Sequence, residues 1–392
     1  MHDHDDLPAT RLTHRGRNPK SEEGTVNPAV VRASTMLFPN ADSLRKADGT
    51  RRSYGRHATD TTLALEDALC AAEQADACLL TPSGLSAITT TLLALLQPGD
   101  HLLMTDSAYD PTRLFCEGLL KRMGISTSYY DPLIGAGIAA LIQPNTRVVW
   151  VESPGSHTFE VQDVPAIAAA AHAAGALVVA DSTWATPLGW DVFALGVDVS
   201  VHAATKYIVG HSDVLMGAIL CKSPLEKTLR ATYRQLGVSI GGDDAYLALR
   251  GLRTLAARLT THRDNSRQVA DWLREQPQVA SVLYPPLPGA PGHDLYLRDF
   301  NPAYACGLFG VVFAEGTTAA QVNKLVDATR LFGIGYSWGG YESLIIPSDP
   351  GSHRAVTSER WRGKAMVRLH IGLEDPADLI ADLAAGLVAM KA

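Results

Sequence analysis

From about residue 61 onward the chain alternates short apolar runs with longer stretches in which Ala and Leu recur every three to four residues. Runs of four to seven apolar residues predict strands, and the longer periodic stretches predict amphipathic helices. Strands are expected at 77–80, 101–104, 127–130, 148–151, 177–180, 197–201 and 214–220, with helices such as 62–73, 87–96, 112–123 and 164–174 between them. Helices alternating with seven such runs describe an α/β fold, a large and mainly parallel sheet covered on both faces. A helical stretch from about 243 to 275 follows. The texture then changes to a proline-rich connection at Pro285, Pro286, Pro288 and Pro291. Beyond it, strands are expected at 307–313 and 366–371 and helices at 321–329 and 376–390, enough for a smaller C-terminal α/β domain. The organisation expected is an N-terminal arm over 1–60, a large domain over 61–255 and a small domain over 256–392.

Length and composition agree with that picture, because 392 residues with 46% hydrophobic content can bury a substantial core. Lys and Arg number 34 against 41 Asp and Glu, a formal charge of -7, and no basic stripe suits a phosphate backbone, so nucleic acid is not an expected partner. No stretch reaches the roughly 18 apolar residues of a membrane span, and residues 1–20 have no apolar core of a secretory signal. A cytoplasmic location is expected. The five cysteines are scattered without CxxC spacing, which suits reduced thiols. His2 and His4 form an incidental HxH in a polar tail, and no metal site is expected.

Chemistry enters with Lys206 and Asp181. Lys206 lies between apolar runs where an idle ammonium would be costly, and Asp181 ends the run 176–180. A lysine that forms a Schiff base with pyridoxal phosphate (PLP) works with a carboxylate at the far side of the ring, because a protonated pyridine nitrogen makes the ring an electron sink. The segment Thr81 Pro82 Ser83 Gly84 Leu85 follows a strand and opens a helix, so its free N–H groups can seat a phosphate. Tyr109, after the next strand, is a candidate for stacking on the cofactor ring. Taken singly, these residues read as a solvated lysine, an ordinary helix cap and a core-edge aromatic. Their joint presence is the signal.

The chain resembles the Cys/Met-metabolism family of PLP enzymes from about residue 25 to 387. The likeness is carried by Tyr54 Gly55 Arg56, Ser83 Gly84, Glu152 to Ser156, Asp181 with Thr183 and Trp184, Ala203 to Asp213, Arg250 to Leu255, Tyr336 to Leu344 and Arg368 to Asp375. It implies the fold-type-I PLP-transferase fold. It further implies that Lys206 holds the cofactor and acts as the base, that Asp181 pairs with the pyridine nitrogen, and that Tyr109 stacks on the ring and assists the incoming amine. Gly84, Leu85 and Thr205 would bind the phosphate. Tyr54 and Arg56 would reach the phosphate of a neighbouring subunit, giving a homo-oligomer with a shared active site and a tetramer built as a dimer of dimers. Arg368 would clamp the substrate α-carboxylate, with Ser337 and Trp338 walling the pocket.

Within the family, Ala203 and Ser156 stand where many members carry Ser and Asn, and they match the members that act at the β-carbon. The activity implied is β-elimination from a sulfur amino acid, L-cystathionine giving homocysteine, pyruvate and ammonia. Two positions depart from the pattern: His57 replaces an arginine, and Leu114 replaces an acidic residue, both expected near the distal half of the substrate. They leave open a broader cysteine-conjugate lyase or desulfhydrase, and a γ-acting enzyme is the other alternative. A non-enzymatic binding module would lack the lysine, the aspartate or the arginine, and none is missing.

Overall fold

The computed structural model describes residues 6–20 and 24–391; His2 and His4 lie outside them. Seven strands form the large sheet: β1 (Ala77–Thr81), β2 (His101–Thr105), β3 (Ser126–Tyr130), β4 (Thr146–Glu152), β5 (Leu177–Asp181), β6 (Val199–His202) and β7 (Gly217–Cys221). Their order is β1-β7-β6-β5-β4-β2-β3, and β7 alone runs against the others. The period of two is visible in the burial. Leu79, Leu102, Met104, Trp150, Val179 and Ile219 pack into one apolar layer, while Leu80, Leu103, Val149, Val178 and Leu220 join the layer on the opposite face. Both faces are covered, so the central strands β4 and β5 read as nearly continuous apolar runs, whereas the edge strand β3 is half exposed.

Helix starts follow local chemistry. Thr59 and Thr62 make a reciprocal capping box before the helix Asp60–Glu73, and Asp163 caps Val164–Ala173. The stretch expected as one helix near 243–275 is two, Gly242–Arg253 and Leu255–Arg274, because the backbone at Thr254 leaves helical geometry and its hydroxyl donates to the Gly251 carbonyl. Strand β7 begins at Gly217 rather than 214, since Met216 is spent on the loop that carries Lys206.

A second sheet has five strands, β8 (Val279–Leu283), β9 (Leu308–Phe313), β10 (Gly333–Ile334), β11 (Leu344–Ser348) and β12 (Met366–His370), in the order β10-β11-β12-β9-β8. The sequence reading finds β9 and β12, the two central antiparallel strands. It misses the flanking ones, which are short, partly exposed or, in β11, interrupted by Pro347. The fold is α/β, with a mainly parallel large sheet and a smaller second sheet, as expected. One buried layer runs continuously from the large sheet to Phe309, Ile345 and Leu369 of the small one.

Asp106 ties the two sheets together just beyond β2. Its fully buried carboxylate accepts from the N–H groups of Ala355, Val356 and Thr357 at 2.7, 3.0 and 2.7 Å, from the Thr357 hydroxyl at 2.7 Å and from Arg113 at 3.0 Å. Burial alone would raise its pKa. The hydrogen bonds outweigh burial and hold it below the ordinary value, so its contribution to stability is present above pH 3.8 and is lost as pH falls through the lower folded value. Asp106→Ala strands the buried Arg113 and three N–H groups, and should cost about 3 to 5 kcal/mol, read as a lower denaturant midpoint. An unchanged midpoint would mean that water replaces the carboxylate at no cost.

Candidate active site

The site lies beyond the carboxyl ends of the parallel strands, where an open α/β sheet presents its loops. Asp181 ends β5, and its carboxylate accepts the Thr183 N–H at 3.0 Å; the Thr183 hydroxyl in turn accepts the Ala203 N–H at 2.8 Å. The ends of β5 and β6 are thereby joined. Below them, His202 Nε2 lies 2.9 and 3.0 Å from the two Glu73 oxygens, and the Ser200 hydroxyl donates to the same carboxylate at 2.7 Å. The chain then turns at Ala203–Gly210, with the Lys206 N–H bonded to the Ala203 carbonyl and the Lys206 carbonyl accepting from Gly210. This turn fixes the lysine backbone.

The Lys206 amine donates to Ser337 Oγ at 2.7 Å and sits 5.2 Å from the Trp338 ring centroid. Arg368, on β12, donates to the Ser337 carbonyl at 3.1 Å. Burial, reinforced by the charge of Arg368 and opposed by that of Asp181, lowers the Lys206 pKa to about 8. Burial also lowers Arg368 to about 10, which leaves it charged at neutral pH. Ser337 has φ +83°, a left-handed conformation that a non-glycine residue adopts at a cost, and here both its hydroxyl and its carbonyl are in use. Nearby Gly339 has no substitute. At φ +86° a Cβ there would lie 2.8 Å from the Lys206 carbonyl carbon.

Ser83 caps the helix Gly84–Leu95 by accepting the Ser86 N–H at 3.0 Å, so the N–H groups of Gly84 and Leu85 have no intrahelical partner. A Cβ on Gly84 would lie 2.4 Å from Ala203 Cβ, so this helix start is pressed against the loop of the lysine. The Thr205 hydroxyl donates to the Met216 carbonyl at 3.1 Å and accepts its N–H at 2.9 Å, holding the lysine loop to the start of β7. Tyr109 is 45% exposed, so its ring has an open face. Burial first, then the nearby carboxylates of Asp181 and Glu152, raise its phenol pKa, so the phenol stays protonated at neutral pH.

Lys206, Ser337, Trp338 and Arg368 are thus in direct contact, and Gly84 is packed against Ala203. Tyr54 and Arg56 are not part of this group: Tyr54 is exposed beside His57, and Arg56 donates to the Arg234 carbonyl at 3.3 Å. Sequence reasoning gave no role to Glu152, whose carboxylate accepts the Tyr109 N–H at 2.8 Å and lies opposite Asp181 in the β4–β5 register. Burial first and then the neighbouring Asp181 raise its pKa strongly, and burial raises that of Asp181 as well. Its place at the end of a strand beside Asp181 was the available signal. The Glu73–His202 pair had none, because 129 residues separate its members.

The sequence model of the Cys/Met metabolism PLP-dependent enzymes matches residues 9–388. The chain belongs to that family. It is 45% identical over 391 residues to a putative cystathionine β-lyase of Rhizobium johnstonii, covering 98% of this chain and 96% of the relative. It is 42% identical to the cystathionine β-lyase MetC of Escherichia coli, covering 96% and 97%. Among solved structures it is similar to a cystathionine γ-synthase of Xanthomonas oryzae pv. oryzae, with a TM-score of 0.89, 31% identity and coverage of 98% and 99%. As a member of this family the chain is a PLP-dependent enzyme.

The residues present fit that cofactor. Two free N–H groups at a helix start suit a phosphate, and a half-open aromatic ring suits the face of the pyridine. Asp181 is buried with its pKa raised chiefly by desolvation, so it is a carboxylate that gains from a cationic ring nitrogen. The low pKa of Lys206 can be read in the cofactor-free protein. Because the amine is protonated below about pH 8 and nucleophilic above it, acetylation of Lys206 by acetic anhydride, followed by mass spectrometry, should rise through a midpoint near pH 8. Arg368→Gln removes a neighbouring positive charge and should move the midpoint upward. A wild-type midpoint above about pH 10 would contradict the burial argument.

Proposed function

We propose that this chain is a PLP-dependent carbon–sulfur β-lyase that cleaves L-cystathionine to homocysteine, pyruvate and ammonia, the β-elimination step of trans-sulfuration towards methionine. The observation that carries this reading is a lysine amine with pKa about 8 bonded through Ser337 to a buried guanidinium. A base and a carboxylate clamp thus share one support. The relatives named cystathionine β-lyase, at 42 to 45% identity over nearly the whole chain, support the choice of leaving group.

In this reading Arg368 takes the substrate α-carboxylate bidentately, which fixes Cα relative to Lys206. PLP, when bound, supplies the electron sink that makes the Cα proton acidic. The Lys206 amine removes that proton, and its pKa near neutrality suits both the acceptance and the later return of a proton. The Cβ–S bond breaks with its electron pair on sulfur, and the lysine proton is available to the departing thiolate. Trp338 walls off water on the lysine side, Asp181 holds the ring nitrogen, Tyr109 covers the ring face, and Gly84, Leu85 and Thr205 hold the phosphate loop. Tyr54 and Arg56 face a neighbouring subunit's phosphate, so the working form is a cytoplasmic homo-oligomer, a dimer of dimers.

Leu114 gives a second reading its basis. Its side chain is 69% exposed where an acidic group was expected, which suits a broader cysteine-conjugate lyase or cysteine desulfhydrase. Comparing kcat/KM for L-cystathionine and L-cysteine separates the two.

The purified enzyme should release pyruvate from L-cystathionine, and Lys206→Ala should lower turnover by at least about a thousandfold. Arg368→Ala should lower kcat/KM by about two orders of magnitude, mostly through KM. Release of 2-oxobutyrate would point to γ-elimination instead. Light scattering should report an oligomer, and an active monomer would contradict the placement of Tyr54 and Arg56.

A further inference from the structure

His370 ends β12 two residues after Arg368, and because alternate residues of a strand share a face, both side chains leave it on the same side. The imidazole is buried and bridges the loop that leads into β11. Its Nε2 accepts the Gly339 N–H at 3.1 Å, and its Nδ1 lies 3.0 Å from the Glu342 carbonyl. An amide N–H only donates and a carbonyl only accepts, so one tautomer fits, with the proton on Nδ1 and none on Nε2. The rings of His262 and Tyr207 pack against it, with centroids 5.4 and 5.8 Å away. Burial first, then His262, hold the His370 pKa well below the ordinary value, which keeps Nε2 an acceptor at neutral pH.

Gly339 is held from both sides. His370 takes its N–H, and its Cα presses on the lysine backbone, where a Cβ would lie 2.8 Å from both the Lys206 carbonyl carbon and the Tyr207 nitrogen. The two residues before it carry the contacts to the lysine amine, Ser337 through its hydroxyl at 2.7 Å and Trp338 through its ring at 5.2 Å. The rear of the loop is tied separately: the Ser343 N–H and hydroxyl donate to Glu374 at 2.7 and 2.8 Å, and the Leu373 N–H donates to the Tyr341 carbonyl at 2.8 Å. At the front, Lys206 and Arg368 hold Ser337, and His370 holds Gly339. Cofactor and substrate compete for Lys206 and Arg368. The buried imidazole is engaged by neither, so its bond to Gly339 outlasts the other two.

We infer that His370 is a positioning residue, whose unprotonated Nε2 anchors Gly339 and so keeps Ser337 and Trp338 aimed at the Lys206 amine while Arg368 is occupied by substrate. The inference rests on the lyase reading for what the amine does, and adds to it what holds the amine's surroundings during turnover.

Two substitutions separate the bonds of the ring. The amide oxygen of Gln reaches the place of Nε2 and can accept from Gly339, whereas the shorter Asn reaches only the place of Nδ1 and can donate to Glu342. In the cofactor-free protein, His370→Asn deprives the ammonium of its hydroxyl acceptor, so the midpoint of Lys206 acetylation should fall by about one pH unit from its value near 8. His370→Gln should return it to the wild-type position. In the loaded enzyme, kcat per bound PLP should drop at least about tenfold in the Asn variant with KM changed by less than about threefold, and Gln should restore most of it. An unfolded variant would titrate near about pH 10 instead, so loss of the fold is not mistaken for the effect. A midpoint that stays or rises in folded His370→Asn overturns the role, as does a Gln variant that behaves like Asn. Absence of pyruvate overturns the lyase reading, and the acetylation midpoints still decide the role of His370.

Discussion

The 2.7 Å hydrogen bond from Lys206 to Ser337 joins groups that come from different sheets. Lys206 hangs from the turn after β6, and Ser337 belongs to the loop before β11. The bond exists only when the small sheet is seated on the large one, so the amine is aimed by tertiary packing and not by its own loop. Asp106 secures that seating from the other side of the site, through the segment Ala355–Thr357. Ser337 then passes the constraint to Arg368 through its carbonyl. Lys206 and Arg368 are therefore positioned by one residue, and its left-handed backbone is held by bonds on both sides.

Charge is distributed with the same economy. Four ionisable groups are buried together, and burial alone would neutralise each of them. Arg368 remains cationic because a guanidinium shifted to about 10 is still protonated at neutral pH, whereas Lys206 at about 8 can exchange a proton there. Glu152 and Asp181 lie side by side on neighbouring strands, and like charges so close do not both persist. Burial raises the pKa of both, that of Glu152 well above the ordinary value. One buried region thus contains a fixed cation, a titrating amine and two carboxyl groups shifted upward, and differences in desolvation and neighbours separate them.

Legibility in the sequence followed burial. Six of the large-sheet strands are fully or almost fully buried and stand out as short runs, and the edge strand β3, half exposed, is readable from its β-branched and aromatic residues. The flanking strands β8, β10 and β11 of the small sheet carry exposed positions and a proline, so their pattern is broken and they were not. Thr254 splits a helical stretch that periodicity alone continues, because a side-chain bond to the Gly251 carbonyl is a local event without a period. Among candidate site residues, those at strand ends were readable, since a polar residue closing an apolar run stands out. Asp106 closes such a run as well, yet its partners lie about 250 residues away and give its position no meaning in the sequence.

The sequence by itself determined the alternating elements, the family, the lysine with its aspartate and arginine, and the glycine at the start of the helix Gly84–Leu95. Those follow from residue type and local spacing, which act over a few residues. Only the tertiary structure decided that Lys206 has a pKa near 8, that Glu152 and Asp181 lie side by side with their carboxyls shifted upward, and that Asp110 faces a cleft with His353 and Arg354. Desolvation and Coulomb terms depend on which distant segments surround a group, and no spacing along the chain encodes that distance.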